Sequence, residues 1–175
     1  MDINLIILIL LATAMVGYLV MINVIYYLSP TVPRDVFPKK RFGRNNCTRV
    51  AENPNRGEGM KPLVTLSSIE EVQENAKNII INMPQTRIVT EKNGFMHFVQ
   101  ITPLFRFYDD IFVKLFTEDG KTNIWLQSQS RLGLHDLMVN EKRIKHIYSK
   151  LTKELEVKIT KAVKELEKDT NSEIL

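Results

Sequence analysis

The chain has 175 residues, enough for one ordinary domain and an N-terminal extension, and its formal charge of +4 is unevenly placed. Residues 34–61 hold eight Lys/Arg against three acidic residues, and sixteen of each sign follow from Pro62, so the basic balance argues against a general nucleic-acid surface. One cysteine, Cys47, and three scattered histidines exclude an intrachain disulfide and offer no CxxC or HExxH spacing, so no metal or other cofactor is expected.

Residues 5–28 contain no charged side chain. At about 1.5 Å per residue they reach roughly 36 Å, enough to cross a hydrocarbon core of about 30 Å with some tilt. A cleaved signal peptide is the alternative, but the run is long, no Lys or Arg precedes it and no A-x-A follows. Residues 1–33 are therefore expected to form a retained single-pass anchor, with Tyr26 and Tyr27 at the aromatic interface belt. The expected setting is a bacterial inner membrane or an organelle inner or thylakoid membrane. Arg34, Lys39, Lys40, Arg41 and Arg44 follow the span, and the positive-inside rule then puts the rest of the chain on the cytoplasmic or matrix side.

Residues 34–61 are rich in Pro, Asn, Arg and Gly and read as a linker over the domain or the bilayer. The domain proper is expected over 62–175. Residues 63–66 are a candidate first strand. Ser67-Ser68-Ile69-Glu70-Glu71 is a capping-box signal opening a helix with Ile69, Val72, Ala76, Ile79 and Met83 on one face, and Pro84 stops it. Four strands follow, at 86–91, 95–101, 105–116 and 123–130. Lys92-Asn93-Gly94 and Glu118-Asp119-Gly120 mark type I′ hairpins, and the short connection Thr102-Pro103-Leu104 joins the middle pair. Residues 140–168 form a long amphipathic helix with Ile144, Tyr148, Leu151, Leu155, Ile159, Ala162 and Leu166 on one stripe. The expected fold is α+β: a transmembrane helix, then an antiparallel sheet of four or five strands with two helices on one face, the last of them long.

Period-two alternation sorts the third strand into faces. Phe105, Phe107, Asp109, Ile111, Val113 and Leu115 point to the core, and Arg106, Tyr108, Asp110 and Lys114 point away. An ionised carboxylate at Asp109 needs an arginine or backbone amides as partner. Arg131 falls on the side away from the core unless a bulge intervenes near Ser130.

In order along the chain stand Cys47-Thr48, Asn53-Pro54, Phe95-Met96-His97, Phe107-Tyr108-Asp109-Asp110, and Ser128-Gln129-Ser130-Arg131-Leu132-Gly133 with Asp136, Asn140 and Arg143. This series resembles the DUF1499 family, a domain of unknown function in bacteria and photosynthetic eukaryotes, over about residues 47–155. The resemblance implies no established reaction or cofactor. It departs from the common pattern at Met138, where glycine is usual, and at Glu141, where a basic residue is usual.

Asp109, Asp110, Ser128, Ser130, Arg131, Asp136, Asn140 and Arg143 are the candidate polar cluster. One reading is structural. Asp136 or Asn140 caps the last helix, and Arg131 and Arg143 tie the strand end and the helix to Asp109, Asp110 or the linker. The other is an anion or polar-ligand site at the helix N-terminus. Adjacent strand residues such as Asp109 and Asp110 diverge and cannot face each other as an acid/base pair. Ser128, Ser130, His135 and Asp136 have triad residue types without triad spacing. The expected function is non-catalytic: an accessory or assembly subunit docking on other subunits of a larger respiratory or photosynthetic membrane complex, an expectation that rests on the family's distribution. A binder of a small polar ligand or lipid head group at residues 131–140 is second, and a hydrolase third.

Overall fold

The computed structural model describes residues 2–39, 45–57, 59–133 and 135–172, with the backbone alone from 157 onward. The uncharged run forms α1 (Ile3–Leu28), opened by Asp2, whose carboxylate accepts from the Asn4 amide. It is long and apolar enough to cross a membrane. Thr13 and Asn23, two of the polar residues within it, bond back to the carbonyls of Ile9 and Leu19, which lowers the cost of carrying them in an apolar helix.

The domain carries one strand more than expected. β1 (Cys47–Val50) lies inside the stretch read as linker, and all four of its residues are buried. β2 (Leu63–Thr65) is the candidate first strand of the sequence reading. Then come α2 (Ile69–Ile81), β3 (Thr86–Lys92), β4 (Phe95–Ile101), β5 (Tyr108–Glu118), β6 (Lys121–Ser130) and α3 (Val139–Ser172). The sheet is antiparallel in the order β1-β6-β5-β4-β3, and β2 also pairs with β6.

Local chemistry explains the elements. The Ser68 hydroxyl accepts from the Glu71 amide and caps α2, as its sequence signal requires. At the β5–β6 turn Asp119 and Gly120 both take positive φ, +51° and +70°, which is type I′ geometry. The β3–β4 turn differs: Gly94 has φ +73° but Asn93 does not share it, so this turn is not type I′. A side chain at Gly94 would also meet the Leu115 carbonyl oxygen at 2.7 Å. β5 starts three residues later than its pattern predicts. Phe105 is exposed instead of facing the helices, and Phe107 packs on the opposite side, against Ile25, Val99 and Tyr108. The turn at Arg106, φ +54°, breaks the alternation before the strand begins.

The two sheet faces are covered differently. On one, α2 and α3 bury Val72, Ala76, Ile80, Ile144, Ile147, Leu151 and Leu155 against Met96, Phe98, Ile111, Val113, Ile124 and Leu126. The other is covered by the chain that leaves α1. Ile25 and Met21 of α1 pack on Val99 and Tyr108, and Phe37 packs with Ala51, Phe95, Phe112 and Trp125. α3 spans 34 residues, roughly 51 Å at about 1.5 Å per residue. Its stripe is Ile144, Ile147, Leu151 and Leu155, with Tyr148 only half-buried; the expected continuation through Ile159, Ala162 and Leu166 lies outside the described side chains.

Candidate functional site

Ser128, Ser130 and Asp109 lie on one face of neighbouring strands, because Asp109 pairs with Ser130 and Ile111 with Ser128. α3 crosses this face and lays Asn140 and Arg143 on it, three residues apart on one side of the helix. Arg143 Nη2 reaches Asp109 Oδ2 at 2.7 Å, and both side chains are almost wholly buried. Its Nη1 donates to Ser128 Oγ at 2.8 Å and to Asn140 Oδ1 at 2.5 Å, and its Nε donates to Gln100. Asn140 Nδ2 in turn donates to Ser130 Oγ at 2.9 Å and to the Asn46 carbonyl at 3.0 Å. The helix, three strands and the residue before β1 are thus stitched by one buried network.

Asp110 faces the other way, as alternation requires. Arg131 holds it through Nη2 at 2.6 Å and Nε at 3.1 Å. His97 Nε2 lies 2.8 Å from the same carboxylate, while His97 Nδ1 accepts from the Arg34 amide at 3.3 Å. That acceptor role assigns the Nε2–H tautomer, which donates to Asp110. Arg131 spends its remaining Nη1 on the Ser29 carbonyl, 3.0 Å, and Thr31 Oγ1, 2.9 Å. Burial pushes the Asp110 carboxyl up, but the bonds from His97 and Arg131 outweigh it and leave its pKa below the usual carboxylate range.

Asp136 settles the capping question. Its two oxygens accept from the Met138 amide at 3.1 Å and the Asn140 amide at 2.9 Å, so it closes the N-terminus of α3, and Asn140 sits inside the helix. Arg56 binds the same carboxylate at 2.7 Å and approaches Glu141 at 3.5 Å. Burial raises the Asp136 pKa, and the Arg56 and Asn140 hydrogen bonds lower it further than burial raises it.

The eight cluster residues therefore fall into three ion-pair centres, at Asp109, Asp110 and Asp136. Sequence reasoning missed their partners His97, Gln100, Asn46 and Arg56, which come from distant elements and show no local spacing. Asp110, on the strand face read as pointing away from the helices, is nonetheless buried and is bonded by two side chains, against one for Asp109. His135 meets Asn45 at 3.3 Å, whereas Ser128 and Ser130 bond to Asn140, so these triad residue types do not converge. Cys47 is fully buried in β1.

A family model described as a protein of unknown function, DUF1499, matches residues 39–151, well over half of the chain. The chain belongs to the DUF1499 family. No curated protein matches it. All three ion-pair centres lie within the DUF1499 region. Two residues near the start of α3 stand out in the DUF1499 region. Met138 takes φ +62°, a conformation that glycine adopts without strain. Glu141 lies beside Arg56 and bonds Lys145 at 2.7 Å.

Proposed function

We propose that this DUF1499 chain is a non-catalytic, single-pass membrane protein that serves as an accessory or assembly subunit of a larger membrane complex. The observation that carries this reading is the Asp110–Arg131 centre, because it fastens the domain to its own anchor. Arg131 bridges a strand-end carboxylate to Ser29 and Thr31, the first residues after α1. His97 holds the Arg34 amide, and Arg49 donates to the Pro38 carbonyl at 2.7 Å further along the same segment. A domain meant to sample solution freely needs none of these ties. A domain that must present a docking surface at a fixed attitude to the membrane needs them all.

α3 is the surface this arrangement offers. It runs 17 residues past Leu155, the last of its described core residues. In that second half the sequence keeps Ile159, Ala162, Val163 and Leu166 among lysines. A helical segment without tertiary packing is marginal in water, and a partner groove would bury that apolar stripe. Truncation after Glu156 is expected to leave the unfolding temperature nearly unchanged and to weaken co-purification of the partner subunits. Unfolding on truncation would instead assign the segment to the domain core, and unchanged co-purification would remove it from docking.

The basic residues after α1 put the domain on the cytoplasmic or matrix side in this reading. Of that cluster, 40–44 lie outside the described residues. A second reading, binding of a small polar ligand or head group beside Arg131, has in its favour a cavity of about 170 Å³ lined by Ser29, Arg34, Asp110, Ser130 and Arg131. Against it, each of the three Arg131 nitrogens already donates to Asp110, Ser29 or Thr31, and Asp136 occupies the helix N-terminus that an anion would use.

A further inference from the structure

The two ends of the sheet differ in chemistry. At one end lie the β3–β4 and β5–β6 turns, whose flanks carry Lys92, Glu118, Asp119 and Lys121. At the other end, the β4–β5 connection reads Thr102-Pro103-Leu104-Phe105-Arg106-Phe107, with Leu104 64% and Phe105 48% exposed. The β6–α3 connection leaves from this same end, and there Leu137 is 85% and Met138 49% exposed. This is the end against which α1 packs. Ile25 meets Val99 and Tyr108, and the Tyr18 hydroxyl donates to the Leu104 carbonyl at 3.0 Å.

That last bond fixes a depth. α1 has 26 residues, about 39 Å of helix against a hydrocarbon core of about 30 Å, so about six residues lie outside the core. If all of them are at the domain end, the core still extends roughly 6 Å beyond Tyr18; if none is, it extends roughly 15 Å. Helical side chains lean toward the N-terminus, which carries the Tyr18 hydroxyl inward from its own Cα. The Leu104 carbonyl it contacts is therefore at or inside the hydrocarbon boundary, if α1 spans the bilayer as in the function proposed above.

We propose that the β4–β5 loop, residues 102–107, is seated in the lipid boundary beside α1 as a second membrane contact, with Leu104 and Phe105 among the acyl chains. Backbone at that depth must be satisfied internally, and irregular lipid-exposed backbone does not occur within the hydrocarbon region, so the loop can sit only at its edge. The loop meets the first condition for three of its five amides; those of Leu104 and Phe105 have no acceptor among the described residues, which confines them to the hydrated edge of the core. The Thr102 amide donates to the Phe107 carbonyl, the Arg106 amide to the Thr102 carbonyl and the Phe107 amide to Thr102 Oγ1. Pro103 has no amide donor, and the Leu104 carbonyl is taken by Tyr18. The second condition selects the shallow end of the depth range. There Arg106 can direct its guanidinium back toward the phosphates, and Arg87, bonded to Thr31, lies beside the α1 exit. Phe105 and Phe107 rings lie 6.1 Å apart and give the loop tip one continuous apolar surface.

Quenching of tryptophan by lipids brominated along the acyl chain tests this in the full chain. The native Trp125 is replaced (Trp125→Phe), and one tryptophan is introduced per variant: Phe105→Trp, Leu104→Trp, Thr117→Trp at the far end, or Leu11→Trp within α1. All are reconstituted in phosphatidylcholine–phosphatidylglycerol vesicles with and without bromine. The expected result is strong quenching at 11, 104 and 105 and none at 117. Two loop positions are used so that a variant that fails to fold does not leave the question open. Quenching at 11 with 104 and 105 as bright as 117 would overturn the loop contact and leave the anchor standing. No quenching at 11 would take α1 out of the bilayer, and both the anchor and the loop contact would fall.

Discussion

Arg143→Ala is the perturbation that most sharply probes the network under α3. In the wild-type chain the Arg143 guanidinium lies 2.7 Å from the Asp109 carboxylate, with side-chain exposures of 4% and 1%. Removing the arginine leaves Asp109 as a buried charge without its cation. Its other oxygen, Oδ1, has no hydrogen-bond partner among the described residues, so none of them takes over. Breaking a buried pair from one side costs about 3–5 kcal/mol. That is a large share of a total stability of about 5–15 kcal/mol. At about 2–4 °C per kcal/mol the midpoint should fall by roughly 6–20 °C. Thermal unfolding of the full chain in detergent, followed through Trp125 fluorescence, reads this directly. The double replacement Asp109→Leu with Arg143→Met removes both charges and should recover much of the loss, because no ion is then left orphaned. A single-variant shift below about 1 kcal/mol, the scale of an exposed pair, would refute the reasoning. So would a double variant no more stable than Arg143→Ala.

Asp110→Ala should destabilise on the same scale as Asp109→Ala, because Asp110 is only 6% exposed and answers both Arg131 and His97; a shift confined to Asp109 in matched melts would contradict this. Since the folded-state pKa of Asp110 lies below the unfolded value of about 3.9, its stabilisation is complete above that value and is lost as pH falls below it. The gap in unfolding temperature between wild type and Asp110→Asn should therefore be constant near neutrality and close below about pH 4, and a gap that persists at lower pH would count against the centre. Protease added to right-side-out vesicles should leave the domain intact if the positive-inside reading is correct, and digestion there would reverse the topology.

What the sequence made legible was periodic or carried turn and cap chemistry. The uncharged run of α1, the Ser68 cap of α2, the Asp119-Gly120 turn and the first half of the α3 stripe each follow from residues close together in the chain. The alternation across Asp109 and Asp110 correctly sent the two carboxylates to opposite faces, and it sent Arg131 with Asp110. β1 was not legible. It is four residues long, sits between Asn- and Arg-rich stretches and is buried on both faces, so Thr48 and Arg49 interrupt any hydrophobic pattern. The start of β5 was misread because alternation in Phe105-Arg106-Phe107 continues through a turn that only the positive φ at Arg106 reveals. The partners of the cluster were invisible for a different reason. Arg56 reaches Asp136 across 80 residues and Arg131 reaches Ser29 across 102, and no local spacing encodes a contact at such range.

Migration of the full chain on a native gel after mild detergent extraction of its own membranes tests the proposed role most directly. As a subunit fastened to its anchor and docked through α3, it should run with a large complex, and the form truncated after Glu156 should leave that band. Migration of the intact chain alone, at its own size, would contradict the account.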